Sequence, residues 1–158
     1  MVSGKFVHLI ETHGDEIVNR VIDEIRRLPE MANVRVLLEP ELHEWREELI
    51  ENLGHWLRTA NELDLAHRYE QRGKRRFEEN IPLHECVQAL CLVREKMVDC
   101  IEEHIGSKDT MELYAEEELE RRLGRFFDVL VIHFVRGYER ALRKSAATAR
   151  GMSSSLPA

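Results

Sequence analysis

The stretch Gly73-Lys-Arg-Arg-Phe-Glu-Glu-Asn-Ile81-Pro82-Leu-His-Glu-Cys-Val-Gln-Ala-Leu90 joins two helical patterns through a defined break. Proline lacks the amide hydrogen that an interior helical turn needs, and it keeps the preceding residue out of the α region, so Ile81 is expected to be extended. Pro82 is then expected in the first turn of a new helix. The stretch therefore predicts a helix, a corner and a second helix.

The N-terminal half of the chain carries two further helical patterns. The first runs from about residue 5 to residue 28, and its apolar stripe is interrupted at residues 12–15, where a bend or a fresh start is expected. Pro29 ends this pattern, and residues 30–39 are interpreted as a connection. Pro40 is predicted to open a second helix. The buried face predicted for that helix is Leu42, Trp45, Leu49, Leu53, Trp56 and Leu57.

The C-terminal half contains the remaining helical patterns. Asn61 is predicted to cap a third helix, although a kinked continuation of the second helix would also fit the pattern. The inner face predicted for the third helix is Leu63, Ala66, Tyr69 or Glu70, Gly73 and Phe77. The fourth helix, which starts near the proline of the corner, is expected to end at Gly106. A capping box at residues 109–112 then precedes a long helix to about Arg143. The small, polar residues 145–158 are expected to be frayed or linker-like.

These patterns predict an all-α fold, because no segment shows strand alternation long enough to seed a sheet. The expected architecture is a bundle of four to six helices, with either four-helix or globin-like packing and a long C-terminal helix. Residues 1–146 are interpreted as one domain, since 158 residues suffice for a single substantial core. Residues 147–158 are interpreted as a flexible tail or the start of a linker.

The corner resembles a signature of the RsbT co-antagonist RsbRD N-terminal domain family. That family shows a glycine and a basic residue before an aromatic one, then Ile-Pro-Leu, an acidic residue and Val-Gln-Ala-Leu; it usually has glycine where this chain has Asn80. The resemblance implies a helical sensor or input domain that stands before a signalling output in stressosome-type and histidine-kinase regulators. The residues of this chain on which the resemblance rests are Gly73, Arg76, Phe77, Pro82, Leu83, Glu85, Val87, Gln88 and Leu90.

Composition narrows the classes of partner. The formal charge of −7 disfavours general binding to nucleic acid, whose phosphates would be repelled. No apolar run has the length of a membrane span, and the first residues lack a signal-peptide core, so no membrane partner and a cytoplasmic location are expected.

Cys86, Cys91 and Cys100 fall on one predicted helix without a Cys-x-x-Cys pair, which favours buried free thiols over a disulfide framework.

No catalytic motif is present in the sequence. It lacks a nucleophile elbow, a phosphate-binding loop and the paired Glu-x-x-His motifs of a di-iron bundle, and no cysteine and histidine stand at zinc-finger spacing. We therefore expect no enzyme, no catalytic residue, no metal site and no cofactor.

His133 is the one candidate for a haem or ligand contact, because it lies in the most apolar segment, although a hydrogen-bonded core or interface position explains it as well. The basic run Arg72, Lys74, Arg75 and Arg76 is interpreted as a solvated helix face.

The sequence and the resemblance together favour a non-enzymatic input domain of a bacterial signalling protein. It is expected to form a homodimer and to transmit a signal to an output domain or partner protein. Two alternatives stay open: a haem- or small-ligand-binding globin-like sensor, and a structural dimerisation module. The long last helix has apolar residues at alternating steps of four and three, which is typical of a helix that pairs with another. The candidates for a dimer seam are Phe127, Leu130, Phe134, Tyr138 and Ala141.

Overall fold

The structure, a computed structural model, describes residues 3–59, 61–104 and 110–154, and these residues form helices joined by short turns without any strand. The predicted all-α class and the long C-terminal helix are confirmed. The expected helix ends at residues 106 and 109 lie outside the described residues. The elements are α1 (Ser3–Thr12), α2 (Gly14–Arg27), a single 3-10 turn (Pro29–Met31), α3 (Ala32–Thr59), α4 (Glu62–Glu78), α5 (Leu83–His104) and α6 (Thr110–Ser154).

The break in the first helical pattern is confirmed, because α1 ends at Thr12 and α2 begins at Gly14. The predicted connection over residues 30–39 is wrong. Helix α3 begins at Ala32 and continues through Pro40, which lies inside the helix rather than at its start. Proline in a helix interior removes one hydrogen bond and is destabilising by about 3 kcal/mol. The turn that precedes Pro40 nevertheless stays helical, because Val34 and Leu38, one turn apart, are both buried in the core.

The predicted start of α4 is confirmed. Asn61 is its N-cap, and the side-chain oxygen of Asn61 accepts a hydrogen bond from the Asp64 amide at 3.4 Å. The predicted inner face of α4 is confirmed at Tyr69 and Gly73, which are buried, but it is wrong in the first turn, where Leu63 lies at the surface and Leu65 is buried instead. Leu63 lies in the first turn of α4. The later turns of the helix determine which face is buried, and that face includes Leu65 rather than Leu63.

Helix α6 organises the bundle. It contains 45 residues and is therefore about 67 Å long at the usual rise. Helix α4 packs along it more extensively than any other pair of helices pack together. The predicted helix end near Arg143 is wrong, because the helix continues to Ser154, and residues 142–152 are all exposed on it. The core itself is one cluster that includes the predicted Trp45, Leu49, Leu53, Trp56 and Leu57.

Candidate functional site

Helix α4 ends at the corner with a residue in the left-handed backbone conformation, as many helices do. Asn80 has φ of 59°, and the amides of Asn80 and Ile81 donate to the carbonyl oxygens of Phe77 and Arg76, each at 3.0 Å. This hydrogen-bond pattern is a Schellman motif, in which glycine or asparagine takes the left-handed position at little steric cost. Pro82 follows, and its carbonyl accepts the first hydrogen bond of α5, from Cys86. The predicted corner is thus present at the expected residues.

Glu85 connects this corner to the start of α3. Its side chain is 1% exposed, and one carboxylate oxygen accepts from the Asn33 amide at 2.9 Å and from the Val34 amide at 3.4 Å. The other oxygen accepts from the Asn33 side-chain amide at 2.9 Å. The first-turn amides of a helix have no partner within the helix and attract negative charge. Glu85 therefore caps α3 from a distant part of the sequence.

Two glycines set the contact between α4 and α6. A β-carbon on Gly73 would lie 2.0 Å from the Phe134 carbonyl oxygen, and one on Gly137 would lie 2.0 Å from the Glu70 carbonyl oxygen. The two helix backbones therefore touch directly at this crossing, which only glycine permits. One residue further on, Tyr138 donates its hydroxyl to the Ile81 carbonyl at 2.8 Å, so that α6 also holds the corner.

The basic run on α4 is paired with acidic residues, but the interpretation of the whole run as a solvated helix face is wrong, because Arg76 is buried and Arg72 is half-buried. Arg76 is the buried member, and it binds Glu79 at 2.8 Å and Glu41 at 3.5 Å. Partial burial acts to raise the pKa of Glu79, but hydrogen bonds from Arg76 and Arg75 outweigh it and lower the pKa. Arg72 pairs with Glu48. Burial, with neighbouring Arg76 and Arg75, lowers the pKa of Arg72 to about 10.

A small cavity lies beside this cluster, between α3, α4, α5 and α6. Its volume is about 40 Å³, against about 300–1,000 Å³ for pockets that take drug-sized ligands. It has space for a few waters or one small group in this conformation. Most of the wall is apolar, and the two guanidinium groups in it, those of Arg72 and Arg76, are also paired with carboxylates. The lining residues are Val34, Leu37, Leu38, Trp45, Tyr69, Arg72, Arg76, Cys86, Ala89, Leu90 and Phe134.

His133 lies outside this cavity, on the side of α6 that faces Glu70. Its Nδ1 is 3.4 Å from one Glu70 carboxylate oxygen, and Arg140 binds the other oxygen at 3.1 Å. The side chain is 20% exposed. His133 thus has a hydrogen-bonding partner at the edge of the core, and its candidacy as a haem or ligand contact stays a prediction.

The residues singled out for a dimer seam are mostly in the core of the chain itself. Phe127, Leu130 and Phe134 are buried within the chain's own bundle, whereas Tyr138 and Ala141 are half-buried. The sequence showed that α6 has a broad apolar face, but it did not show that α4 and α5 cover that face. The apolar residues that α6 leaves exposed are others, among them Ile132 and Leu142.

Sequence reasoning missed a second cluster, at the other end of α5. His13, at the break between α1 and α2, lies beside Cys100 and His104 in the last turn of α5, and their potential ligand atoms are within 4.8 Å of one another. The spacing of Cys100 and His104 by one helical turn was visible in the sequence, but His13 comes to them only through folding. Burial, followed by the charge of Glu16, raises the pKa of the Cys100 thiol.

The fold and the corner define the class of protein. It is a helical bundle in which residues of the signature close the corner between α4 and α5 and cap α3. Of the signature residues, Gly73, Arg76, Glu85 and Leu90 are buried, while Phe77, Pro82, Leu83, Val87 and Gln88 are half-buried. The chain belongs to the family of the RsbT co-antagonist protein rsbRD N-terminal domain, whose model matches residues 15–151. The suspected family is therefore confirmed.

Membership makes the chain a regulatory input domain of a stressosome-like signalling system, in a family that is not known as catalytic. No curated protein and no solved structure matches the chain. Within residues 3–59, 61–104 and 110–154, no helix is both long and apolar enough to cross a membrane.

Proposed function

We propose that the domain acts as a parallel homodimer paired along the outer face of α6, and that this helix carries a received signal to an output domain or partner protein. The observation that carries the proposal is an exposed apolar stripe on α6. Ile132 and Leu142 are each about half exposed, and Val135 lies between them at helical spacing. We call Ile132, Val135, Leu142, Ala146 and Ala149 the α6 stripe.

The spacing of the α6 stripe supports pairing with a second copy. Its members and the intervening Glu139 follow alternating steps of three and four residues, which is the repeat of a two-stranded coiled coil. In a parallel pair, each position meets the same position of the other copy. Alanines at the C-terminal end permit close approach, and the larger residues of the stripe lie beside the bundle.

The position of the stripe supports transmission. The last turns of α6 are exposed and extend beyond its contacts with α4. The glycine crossing at Gly73 and Gly137 joins these helices at their backbones, so a displacement of α4 would move α6 with it. A parallel pair places both C-terminal ends on one side, where a shift or rotation repositions two outputs together.

Sedimentation velocity tests the dimer. Leu142→Glu places a charge in the stripe and is expected to give a folded monomer, while the parent sediments as a dimer. Leu63→Glu is the matched control, because Leu63 is 85% exposed on α4 and lies outside the stripe. Phe134→Glu is unsuitable, since it would place the charge in the core. A monomeric parent at high concentration, or equal behaviour of the two variants, would contradict the proposal.

Cysteine cross-linking tests the parallel direction. Ala146→Cys in a Cys91→Ser background is expected to form an intermolecular disulfide, because equal positions meet across a parallel seam. Cys91 is replaced because it is the exposed native thiol. Leu63→Cys in the same background is the control and should stay reduced. A dimer in which Ala146→Cys fails to cross-link would rule out the parallel arrangement.

Sensing of a small ligand is a second candidate function, and the cavity between α3, α4, α5 and α6 favours it. Its apolar wall with two guanidinium groups suits a small acid or a similar anion, which would share those groups with their present carboxylate partners. We expect acetate or propionate to raise the melting temperature of the parent. Ala89→Leu fills part of the cavity and should abolish that rise without loss of helix. An equal rise in both proteins would place the effect elsewhere.

A further inference from the structure

The cluster at the far end of α5 brings three metal-binding side chains to one point. Cys100 Sγ lies 3.7 Å from His104 Nδ1, and the rings of His104 and His13 are tilted by 38° to each other with their centroids 3.8 Å apart. One potential ligand atom from each residue lies within 4.8 Å of the other two. Cys100 and His104 are one helical turn apart, so they share a face of α5. His13 approaches that face from the break between α1 and α2.

The ligand types and distances suit zinc. Zn²⁺ takes thiolate and imidazole ligands at about 2.3 Å and 2.0–2.1 Å, so in a tetrahedral site the ligand atoms are about 3.3–3.6 Å apart. The present separations are at most 4.8 Å and so exceed this by up to about 1.2–1.5 Å, which rotation of side chains can supply. Cys100 is buried, His13 is half-buried and His104 is exposed, so an ion would reach the cluster from solvent.

The surroundings of the two histidines resemble the outer partners of metal ligands. His13 Nδ1 is 3.3 Å from a carboxylate oxygen of Glu16, and His104 Nδ1 is 2.9 Å from the Cys100 carbonyl oxygen. Metal-binding histidines commonly donate one ring nitrogen to a carboxylate or a backbone carbonyl, and this contact orients the ring. With Nδ1 of both rings used in this way, Nε2 of each ring is the nitrogen that would bind the ion. Arg20 binds the carboxylate of Glu16 at 2.6 Å and that of Glu103 at 2.7 Å. The carboxylate that contacts His13 is therefore itself held in place.

We propose that His13, Cys100 and His104 form a binding site for Zn²⁺ or a chemically similar divalent transition-metal ion. Three protein ligands leave the fourth position of the ion for water or a ligand from outside. Binding would clamp the break between α1 and α2 to the last turn of α5. The proposal reverses the sequence-based expectation of no metal site, and it does not depend on the proposed dimer.

The test uses the full chain, reduced and stripped of metal with a chelator, and Co²⁺ as a spectroscopic probe. One equivalent of Co²⁺ is expected to give the visible bands of a tetrahedral site and a sulfur-to-cobalt charge-transfer band. One equivalent of Zn²⁺ should remove both. Cys100→Ser should abolish the charge-transfer band, and His13→Gln and His104→Gln should each weaken Zn²⁺ binding by more than about 100-fold, since loss of outer partners alone weakens binding by about 10- to 100-fold.

Matched controls lie on the same helix. Cys91→Ser and His84→Gln replace exposed residues of α5 and should leave both bands and the affinity unchanged. Circular dichroism checks each variant, and the two histidine variants keep the test decisive if replacement of buried Cys100 unfolds the protein. Absence of the charge-transfer band in the parent, or its loss in Cys91→Ser, would overturn the proposal. Unchanged Zn²⁺ affinity in both His13→Gln and His104→Gln would overturn it as well.

Discussion

The backbone contact between α4 and α6 makes a sharp prediction for one added methyl group. In Gly137→Ala, the new β-carbon would lie 2.0 Å from the Glu70 carbonyl oxygen, roughly 1.4 Å short of an ordinary contact. The opposing atoms belong to a helix backbone, so the two helices must separate. Overpacking is usually destabilising by about 1–3 kcal/mol, and backbone contact places this case at the upper end.

Helix propensity acts in the opposite direction. Alanine is favoured over glycine in a helix interior by about 1 kcal/mol, so the net loss for Gly137→Ala is about 2 kcal/mol. For a domain of this size, such a loss lowers the melting temperature by about 4–8 °C. Gly124→Ala supplies the control in the same helix. Its β-carbon meets only an Arg94 side-chain nitrogen at 3.5 Å, so it should stabilise the domain by about 0.5–1 kcal/mol.

Urea unfolding followed by circular dichroism measures both variants, at one protein concentration because association changes apparent stability. The expected difference between Gly137→Ala and Gly124→Ala is about 3 kcal/mol, from the overpacking and propensity terms above. If the two variants unfold at the same urea concentration, the helices do not cross at their backbones, and the explanation of Gly73 in the family signature is wrong as well.

Three further predictions concern the corner. Glu85→Ala leaves the first amides of α3 without a buried acceptor and should lower the free energy of unfolding in urea by about 1–3 kcal/mol, whereas Glu85→Gln, which keeps one oxygen, should lower it less. Asn80→Val forces a branched residue to positive φ and should destabilise by about 1–2 kcal/mol, while Asn80→Gly should be at least as stable as the parent; equal melting temperatures for all three would contradict the left-handed geometry. Because hydrogen bonds from Arg76 and Arg75 lower the pKa of Glu79 below its ordinary 4.5, its contribution to stability is present above that pH and is lost as the pH falls below it. Glu79→Gln should therefore flatten the acid side of a profile of melting temperature against pH, and an unchanged acid side would refute the assignment.

Local chemistry explains the features that the sequence predicted well. The cap at Asn61 depends on one side chain and an amide three residues later, and the corner at Pro82 depends on a proline and a residue that tolerates positive φ. These interactions span a few residues and need no knowledge of the rest of the chain. The buried face around Trp45 and Trp56 follows equally from periodicity. The residues of the family signature are close together in the sequence, which is why the signature could be recognised, although Gly73 and Glu85 make their contacts with α6 and α3.

The end of α6 shows where composition is a poor guide. Small polar residues after Arg143 suggested a frayed tail, yet the helix continues to Ser154. This segment contains several alanines, whose helix propensity is the highest of all residues. Weighing that propensity against the polar composition would have extended the predicted helix.

Periodicity and local capping thus determined that this chain is a helical bundle with a proline corner and a long final helix. Tertiary structure decided what each helix face meets. Pro40 stays inside α3, whose start is capped by Glu85 from across the fold. Phe134 enters the core rather than a dimer seam because Gly73 lets α4 lie against it. His13 meets Cys100 only when the bundle closes. Such contacts join residues far apart in sequence, and no periodic pattern encodes which distant side chain will fill a given position.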